Sequence, residues 1–314
     1  MVTTTHTSDR LGTDARMAAR AARRRGPRAS IARYYSLTKP RVLLANALTA
    51  VAGYFLASAG RFDLWVFVSL TIGSTLMIAS ACVLNNVLDR DIDAIMQRTR
   101  ARATVSGSIS AVRAVVFSII LGALGMASLA IGTNGAVMLA GSIGFVTYVV
   151  LYGMLSKRMS VHGTLVGSVS GAIPILSGYL AASERLDAGA IIAFAILFLW
   201  QMPAFYSISI YRRDEYARAG IPVLSVVRGI RATVVQILIY TIAFVLATLL
   251  LPLSGLVGIV YSATMAALGL AWIWLGARGL RARNPEIWAR QMFRFSMIMV
   301  LAICLMVSVG PLLP

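Results

Sequence analysis

Acidic residues are scarce in this chain. It has 11 Asp and Glu residues among 314, against 29 Lys and Arg, and charged residues make up only 13% of the sequence. Histidine and cysteine are scarcer still, with two of each. Cys82 and Cys304 stand in apolar runs without a motif around them, so the sequence favours buried apolar positions for both and offers no cysteine-based site.

Most of the chain is apolar. Apolar residues make up 59% of the chain, with a mean hydropathy of +0.81, and they recur in runs of about 20 residues, the length of a helix that crosses a bilayer. Only helices satisfy every backbone group within one span, which predicts an all-α bundle around a central cavity. We predict nine transmembrane helices, at 42–60, 65–88, 112–131, 136–155, 164–182, 189–210, 233–252, 257–277 and 292–311.

The basic residues predict the orientation of this bundle. With a cytoplasmic N-terminus, only Arg61 and Arg185 fall in loops on the opposite side, as the positive-inside rule expects. A net charge of +18 is compatible with nucleic-acid binding, but basic residues at helix ends suit anionic lipid headgroups better, and we expect no nucleic-acid partner.

The first 35 residues differ from the remainder. They are rich in arginine and lack a long apolar run, which predicts a disordered cytoplasmic tail (1–35) before a transmembrane domain (36–314). A mitochondrial presequence is an alternative, although Asp9 and Asp14 are unusual in such segments. We therefore expect a plasma (inner) membrane location, with the mitochondrial inner membrane as the alternative.

Two acidic clusters follow the second and sixth predicted spans, at the cytoplasmic side. Asn85, Asp89 and Asp93 are spaced i, i+4, i+8, so they share one helix face over about 12 Å. Oxygen ligands of this kind suit Mg²⁺ held jointly with substrate phosphates, and the arginines that follow can bind phosphate in a bidentate manner. The alternative is a set of solvated charges at a helix end.

The second cluster, "YRRDEYARAG", has the same composition and an equivalent position if the first eight helices form two four-helix halves. It contains Asp214 and Glu215. A third loop on the same side offers Lys157 and Arg158, which alone would be ordinary charges at a membrane surface. These three loops define the candidate site.

Several motifs now carry a resemblance. The acidic face after span two and the acidic loop after span six resemble the UbiA-type intramembrane prenyltransferases. The segments "LTKPRVLLANALTAVAGYFLAS", "NNVLDRDIDAIMQRT", "FLWQMPAFYSISIYRRDEYARAGIPVL" and "IWARQMFRFS" are similar to the protohaem IX farnesyltransferase (haem O synthase) family within them, from about residue 33 onward.

The resemblance implies a reaction and a site. It implies transfer of a farnesyl group from farnesyl diphosphate to a vinyl group of haem B, with addition of water, and a requirement for Mg²⁺. Haem-handling membrane proteins are expected as further partners. The expected Mg²⁺ ligands are Asn85, Asp89 and Asp93, with Glu215 and Asp214 for a second ion; Asp89, Asp93 and Glu215 are the expected catalytic residues; and Arg98, Arg102, Lys157, Arg158, Tyr152 and Asn46 are expected to bind substrate.

The chain departs from the family pattern at several places. Ala101 and Ala103 stand where the family usually has Asn and Pro, Ser225 stands where Pro is usual, and Glu215 replaces an Asp. Ala204 stands where the family usually has His, so no imidazole is available at that position. His162 is the only histidine outside the tail that could substitute for it.

Two alternatives of function stay open at this point. One is a UbiA-type enzyme with an aromatic quinone-precursor acceptor. The other is a membrane transporter, although transporters place ionisable groups near the bilayer midplane, and the centres of the predicted spans carry none.

Overall fold

A computed structural model describes residues 26–58 and 60–314. This part of the chain contains α- and 3₁₀-helices, one π-helical segment and no strand. The principal helices are α1 (Pro27–Leu37), α2 (Pro40–Ala57), α3 (Leu64–Leu88), α4 (Arg90–Ile95), α5 (Ala111–Gly132), α6 (Gly135–Val146), α7 (Gly163–Ser183), α8 (Ala188–Tyr211), α9 (Arg213–Arg218), α10 (Leu224–Val227), α11 (Gly229–Leu250), α12 (Ile259–Arg278) and α13 (Pro285–Val309).

Nine of the described helical segments are long and apolar enough to cross a bilayer, which confirms the predicted all-α transmembrane fold. Five of them are the single helices α2, α3, α5, α7 and α8. The other four are longer segments that begin with α6 (Gly135–Met159), α11 (Gly229–Ser254), α12 (Ile259–Arg281) and α13 (Pro285–Leu312). The fourth segment is longer than the predicted 136–155, because a π-helix (Thr147–Ser156) and a last α-helical turn (Lys157–Met159) extend it. The cytoplasmic N-terminus stays a prediction.

The predicted tail ends inside a helix. Most of it, residues 1–25, lies outside the described part of the chain. Helix α1 begins at Pro27, where a proline in the first turn loses no hydrogen bond because the first backbone N–H groups of a helix have no internal acceptor. The predicted boundary at residue 35 lies within α1, and the division into tail and transmembrane domain stays a prediction.

Two scarce acids at the end opposite the clusters have structural roles. Asp63 accepts a hydrogen bond from the backbone N–H of Val66, and Asp187 accepts one from that of Ala190. Each therefore caps the N-terminus of the next membrane helix, an arrangement that typically stabilises a helix by ~1 kcal/mol. This leaves the acids at the other end of the bundle as the candidates for chemistry.

Close helix contacts and one small apolar cluster position the site. A Cβ on Gly178 of α7 would collide with the carbonyl oxygen of Ala50 in α2, so glycine permits these helices to approach closely. At the site end, Ile92 and Met96 pack against Ile221, with Tyr216 beside them. This cluster joins the segment after α3 to the segment after α8, and it brings the two acidic sequences to one mouth of the bundle.

Candidate active site

The three predicted metal ligands of the first cluster lie along one face. Asn85 is in the last turn of α3, Asp89 is the residue between α3 and α4, and Asp93 is in α4. Backbone hydrogen bonds from the N–H of Asp89 to the carbonyl of Asn85 (2.9 Å), and from Asp93 to Asp89 (2.7 Å), keep the helical register across the junction. All three side chains are buried, with at most 3% of each residue exposed.

Each of these three residues is bound by a basic side chain, two of them from distant parts of the chain (Lys39 and Lys157) and one from the loop that follows α4 (Arg102). Lys157 Nζ lies 2.5 Å from Asp89 Oδ2, and Arg102 Nη1 lies 2.5 Å from Asp93 Oδ2. Lys39 Nζ donates to Asn85 Oδ1 at 2.7 Å. Buried carboxylates require a nearby positive charge, and here the protein itself supplies that charge.

Lys39 was not among the site residues predicted from the sequence. This residue precedes Pro40 at the N-cap of α2 and has a left-handed backbone conformation (φ 56°), which is uncommon outside glycine. Burial lowers the pKa of its ammonium group to about 8. A lysine directly before the first residue of a helix could have indicated this role, because a cation at the positive end of a helix dipole is unfavourable unless a specific partner holds it there.

The first cluster fits a magnesium ion shared with phosphate. Asp89 Oδ1 is buried and has no hydrogen-bond partner among residues 26–58 and 60–314, so one carboxylate oxygen of the cluster is available for a ligand. Among the described residues, no group of three or more His, Cys, Asp or Glu side chains could hold a metal ion by itself. Mg²⁺ normally takes one or two carboxylates and completes its shell with water and substrate phosphates, which suits two aspartates and one asparagine.

The second cluster is more open. Glu215 Oε2 accepts a hydrogen bond from Arg212 (2.9 Å), and its Oε1 accepts a long one from the backbone N–H of Arg98 (3.5 Å). Burial opposes ionisation of Glu215, but these hydrogen bonds outweigh it and lower the pKa of the carboxyl group. Asp214 is exposed and forms no ion pair within the described residues. Arg98, five residues after Asp93, thus connects the two clusters through its backbone hydrogen bond to Glu215.

The structure separates the remaining predicted substrate-binding residues. Tyr152 lies near Lys157, whose Nζ is 6.0 Å from the ring centroid. Arg158 forms two hydrogen bonds of 2.7 Å to the carboxylate of Asp91 and one to the carbonyl of Leu88, so it does not contact the predicted metal ligands. Asn46 donates to the carbonyl of Val42 one turn earlier in α2, a bond that stays within its own helix.

A π-helical segment carries two tyrosines towards the first cluster. Thr147–Ser156 follows α6 and contains Tyr148 and Tyr152. The hydroxyl of Tyr148 lies 3.5 Å from Asn85 Oδ1, while the ring of Tyr152 packs against Gly167, where a Cβ would approach the ring to 3.1 Å. π-Helices are rare and frequently occur at functional sites. The sequence analysis missed Tyr148, because the usual helical period does not predict this local geometry.

The position that lacks the family histidine is closely packed. Ala204 in α8 is only 2% exposed, so an imidazole there would have to displace neighbouring side chains, which costs about 1–3 kcal/mol when a core is overpacked. His162 is exposed at the N-cap of α7, five residues after Lys157. It therefore occupies a surface position at the site end and not the place of the missing side chain.

Comparison with known proteins gives consistent matches. The sequence profile of the UbiA prenyltransferase family matches residues 46–298. Protoheme IX farnesyltransferase 2 of Pseudomonas fluorescens is 45% identical over 280 residues, which are 89% of this chain and 95% of that protein. Protoheme IX farnesyltransferase of Yersinia pseudotuberculosis is 43% identical over 279 residues, again 89% of this chain and 95% of the relative.

Solved structures share the fold at lower identity. A digeranylgeranylglyceryl phosphate synthase superposes with a TM-score of 0.77 at 20% identity, over 90% of this chain and 98% of that one. A UbiA homologue from Archaeoglobus fulgidus, bound to GPP and Mg²⁺, superposes with a TM-score of 0.64 at 17% identity, over 88% and 99% of the two chains. At this level of identity the likeness concerns the helical architecture alone.

Proposed function

Since the chain belongs to the UbiA prenyltransferase family, we propose that it transfers the farnesyl group of farnesyl diphosphate to a vinyl group of haem B, with addition of water, to give haem O. Relatives named protoheme IX farnesyltransferase, 43–45% identical over most of both chains, support the haem acceptor. The product would serve the assembly of respiratory oxidases. The observation that carries the proposal is the buried triplet of Asn85, Asp89 and Asp93 with its basic partners.

The triplet would hold Mg²⁺ and the donor diphosphate together. When bound, Mg²⁺ would neutralise the diphosphate and favour its departure as a leaving group. Asn85, Asp89 and Asp93 would be its ligands, with the free Asp89 Oδ1 as the first point of contact. Glu215 would support a second ion, and Asp214, which is exposed, would contribute less.

The basic side chains would then bind the diphosphate oxygens. In the structure, Lys39, Lys157 and Arg102 bind the side chains of the triplet. A cation bound to the triplet would replace them as the positive partner and release them. They are already beside the site and can turn to the incoming phosphates, together with Arg98. We leave Arg158 and Asn46 outside this set because their hydrogen bonds go elsewhere. Mg²⁺ and the diphosphate would therefore bind cooperatively, because Mg²⁺ releases the basic side chains from the aspartates and the diphosphate then binds the released side chains.

The bonds change in a simple order. The C1–O bond of farnesyl diphosphate breaks, and its electron pair leaves with the diphosphate, whose charge Lys157 and Arg102 stabilise. The vinyl carbon of haem B attacks C1, and water adds to the resulting cationic carbon and loses a proton. Tyr148 and Tyr152 would shield the allylic carbon from early attack by water, because the Tyr148 hydroxyl lies 3.5 Å from Asn85 Oδ1 and the Tyr152 ring centroid lies 6.0 Å from Lys157 Nζ.

The test is a choice between acceptors. Purified protein is incubated with labelled farnesyl diphosphate, Mg²⁺ and either haem B or 4-hydroxybenzoate, with Asp89→Asn as the inactive control. We expect label in a haem product only. Transfer to 4-hydroxybenzoate alone would establish the aromatic-acceptor alternative, and no transfer with either acceptor would contradict a prenyltransferase.

The nine apolar helices and the family make this an integral membrane protein. We propose the plasma (inner) membrane, with the site facing the cytoplasm, because this orientation places most of the basic residues inside. A protease-sensitive tag at the N-terminus would be cut only from the cytoplasmic side. Haem-handling membrane proteins are proposed as partners that deliver or remove the insoluble haem.

A further inference from the structure

A strongly charged cavity opens at the same end of the bundle, around the second acidic cluster. It has a volume of about 550 Å³ and lies between the loop after α4, the junction of α8 and α9, and the start of α13. Three separate chain segments contribute arginines to its lining, namely Arg98, Arg212, Arg213, Arg218 and Arg290. Three acidic residues also line it, which leaves an excess of positive charge.

Two of these arginines are engaged and three are not. Arg212 pairs with Glu215, and Arg213 Nε donates to the carbonyl of Ser225. The side chains of Arg98, Arg218 and Arg290 form no ion pair with any described residue. The cavity thus presents unpaired guanidinium groups to a ligand.

Arg290 contacts an aromatic ring and donates no hydrogen bond to any residue in the described part of the chain. Its guanidinium carbon lies 4.7 Å from the ring centroid of Tyr211, a cation–π contact, and the ring of Tyr211 also packs edge-on against Phe293. A guanidinium that lies over a ring keeps its N–H groups free at its edge. This arrangement orients a bidentate donor towards the cavity.

We infer that this cavity binds the two propionate carboxylates of the haem acceptor, with Arg218 and Arg290 as the donors. The inference rests on the proposed function. In the proposed reaction the diphosphate binds Lys39, Lys157, Arg102 and Arg98, which leaves Arg218 and Arg290 of the cavity free to bind a second anionic group. The acceptor is the substrate that carries such a group. Arginine forks match carboxylates in geometry and charge.

Binding of the propionates in this cavity would also orient the vinyl groups of haem B. Its propionates and its vinyl groups stand on opposite edges of the macrocycle. An acceptor fixed by its propionates at Arg290 therefore presents its vinyl edge away from the cavity wall, and Arg98 connects this cavity to the loop that follows Asp93. The anchor would thus select the edge of the porphyrin that meets the farnesyl donor.

Matched variants and matched ligands test the inference. Arg290→Gln removes the proposed donor, while Arg294→Gln removes the same charge one helical turn away, at an exposed residue outside the cavity lining. Each protein, in nanodiscs, is titrated with haem B and with haem B dimethyl ester, and binding is followed by Soret absorbance. A non-reactive farnesyl thiolodiphosphate measures the donor site, and thermal unfolding checks the fold.

We expect Arg290→Gln to weaken haem B about tenfold or more, as for a hydrogen bond to a charged group, and to leave the ester and the thiolodiphosphate unchanged. Arg290→Lys should restore part of the loss, and Arg218→Gln should repeat it. An equal loss for haem B and its ester, or a loss for the thiolodiphosphate, would overturn the assignment. Unchanged haem affinity in Arg290→Gln, with haem still prenylated, would refute propionate binding by the cavity but not the proposed function. A wild-type protein that binds the donor but no haem would refute both.

Discussion

The two acidic clusters look equivalent in sequence but differ in structure. Asp89 and Asp93 are buried, and each is paired with a basic side chain from another segment of the chain. Asp214 is exposed, and Glu215 pairs with Arg212, only three residues away. The first cluster is therefore assembled by the tertiary fold, whereas the second is mainly a local feature of one short helix.

This difference indicates how each cluster can work. Burial strengthens electrostatic interactions, so charges in the first cluster act at short range and in a fixed geometry. Solvent weakens the interactions of the second cluster, which suits binding and exchange of charged ligands better than bond cleavage. Matched substitutions in the two clusters would test this difference directly.

The largest effect is expected at Asp89. Asp89→Asn keeps the size of the side chain and an acceptor for Lys157 but removes the charge that holds the metal, and we expect farnesyl transfer (kcat/KM) to fall by at least about a thousandfold, equivalent to several kcal/mol of lost electrostatic stabilisation. Asp91→Asn, at an exposed residue of the same segment, should stay within about threefold of wild type.

Steady-state rates at saturating Mg²⁺ and thermal unfolding check this pair. Asp93→Asn should behave as Asp89→Asn does, because both residues occupy the same buried face. Near-wild-type turnover by either variant would show that the first cluster does not hold the metal.

The next effect concerns the basic partners. Lys157→Gln should weaken binding of a farnesyl thiolodiphosphate by about ten- to a hundredfold, as expected for the loss of a charged hydrogen-bond donor, and leave haem binding unchanged. Arg158→Gln should change neither affinity by more than about twofold, since Arg158 is engaged with Asp91 at the surface. Calorimetric titration with both ligands distinguishes them, and an equal loss for haem in Lys157→Gln would reassign that side chain to the acceptor.

The fold could be predicted from the sequence, whereas the assigned site residues stay predictions. Runs of about 20 apolar residues determine the spans because each must cover a bilayer, and the i, i+4 spacing of Asn85, Asp89 and Asp93 survives the break after α3 because the backbone bonds continue across it. Lys39 could not be derived in this way. Its partner Asn85 is 46 residues away, and only the packing of the helices brings the two together.

The sequence also gave Arg158 the same role as Lys157, its neighbour. Side chains of adjacent helical residues point in different directions, so one reaches the buried Asp89 and the other the exposed Asp91. The residue types alone do not distinguish Lys157 from Arg158, whereas the direction of each side chain in the structure does. Composition likewise does not show that Asp214 is exposed while Glu215 is partly buried.

A moderate effect is expected within the second cluster. Glu215→Gln removes the partner of Arg212 and a proposed support for a second ion, and we expect the activity to fall about tenfold at limiting Mg²⁺, which corresponds to ~1.4 kcal/mol. Asp214→Asn removes the same charge from an exposed side chain and should change the activity less than twofold. Activity across a range of Mg²⁺ concentrations compares them. A larger loss for Asp214→Asn would reverse the order of the two residues.

The smallest effect belongs to the exposed pair beside the first cluster. The hydrogen bonds from Arg158 lower the pKa of Asp91 to about 2, below the usual value of about 3.9 for aspartate. A carboxyl whose pKa is lower in the folded than in the unfolded state stabilises the fold above the unfolded pKa, and this contribution disappears as the pH falls towards about 2. Because the Asp91 side chain is 66% exposed, solvent screening limits the contribution to less than ~1 kcal/mol. Asp91→Asn should therefore be slightly less stable than wild type at pH 5, and the difference in thermal midpoint should shrink towards pH 2.5. A difference that stayed constant over this range would mean that ionisation of Asp91 contributes nothing, and that the pair only orients Arg158.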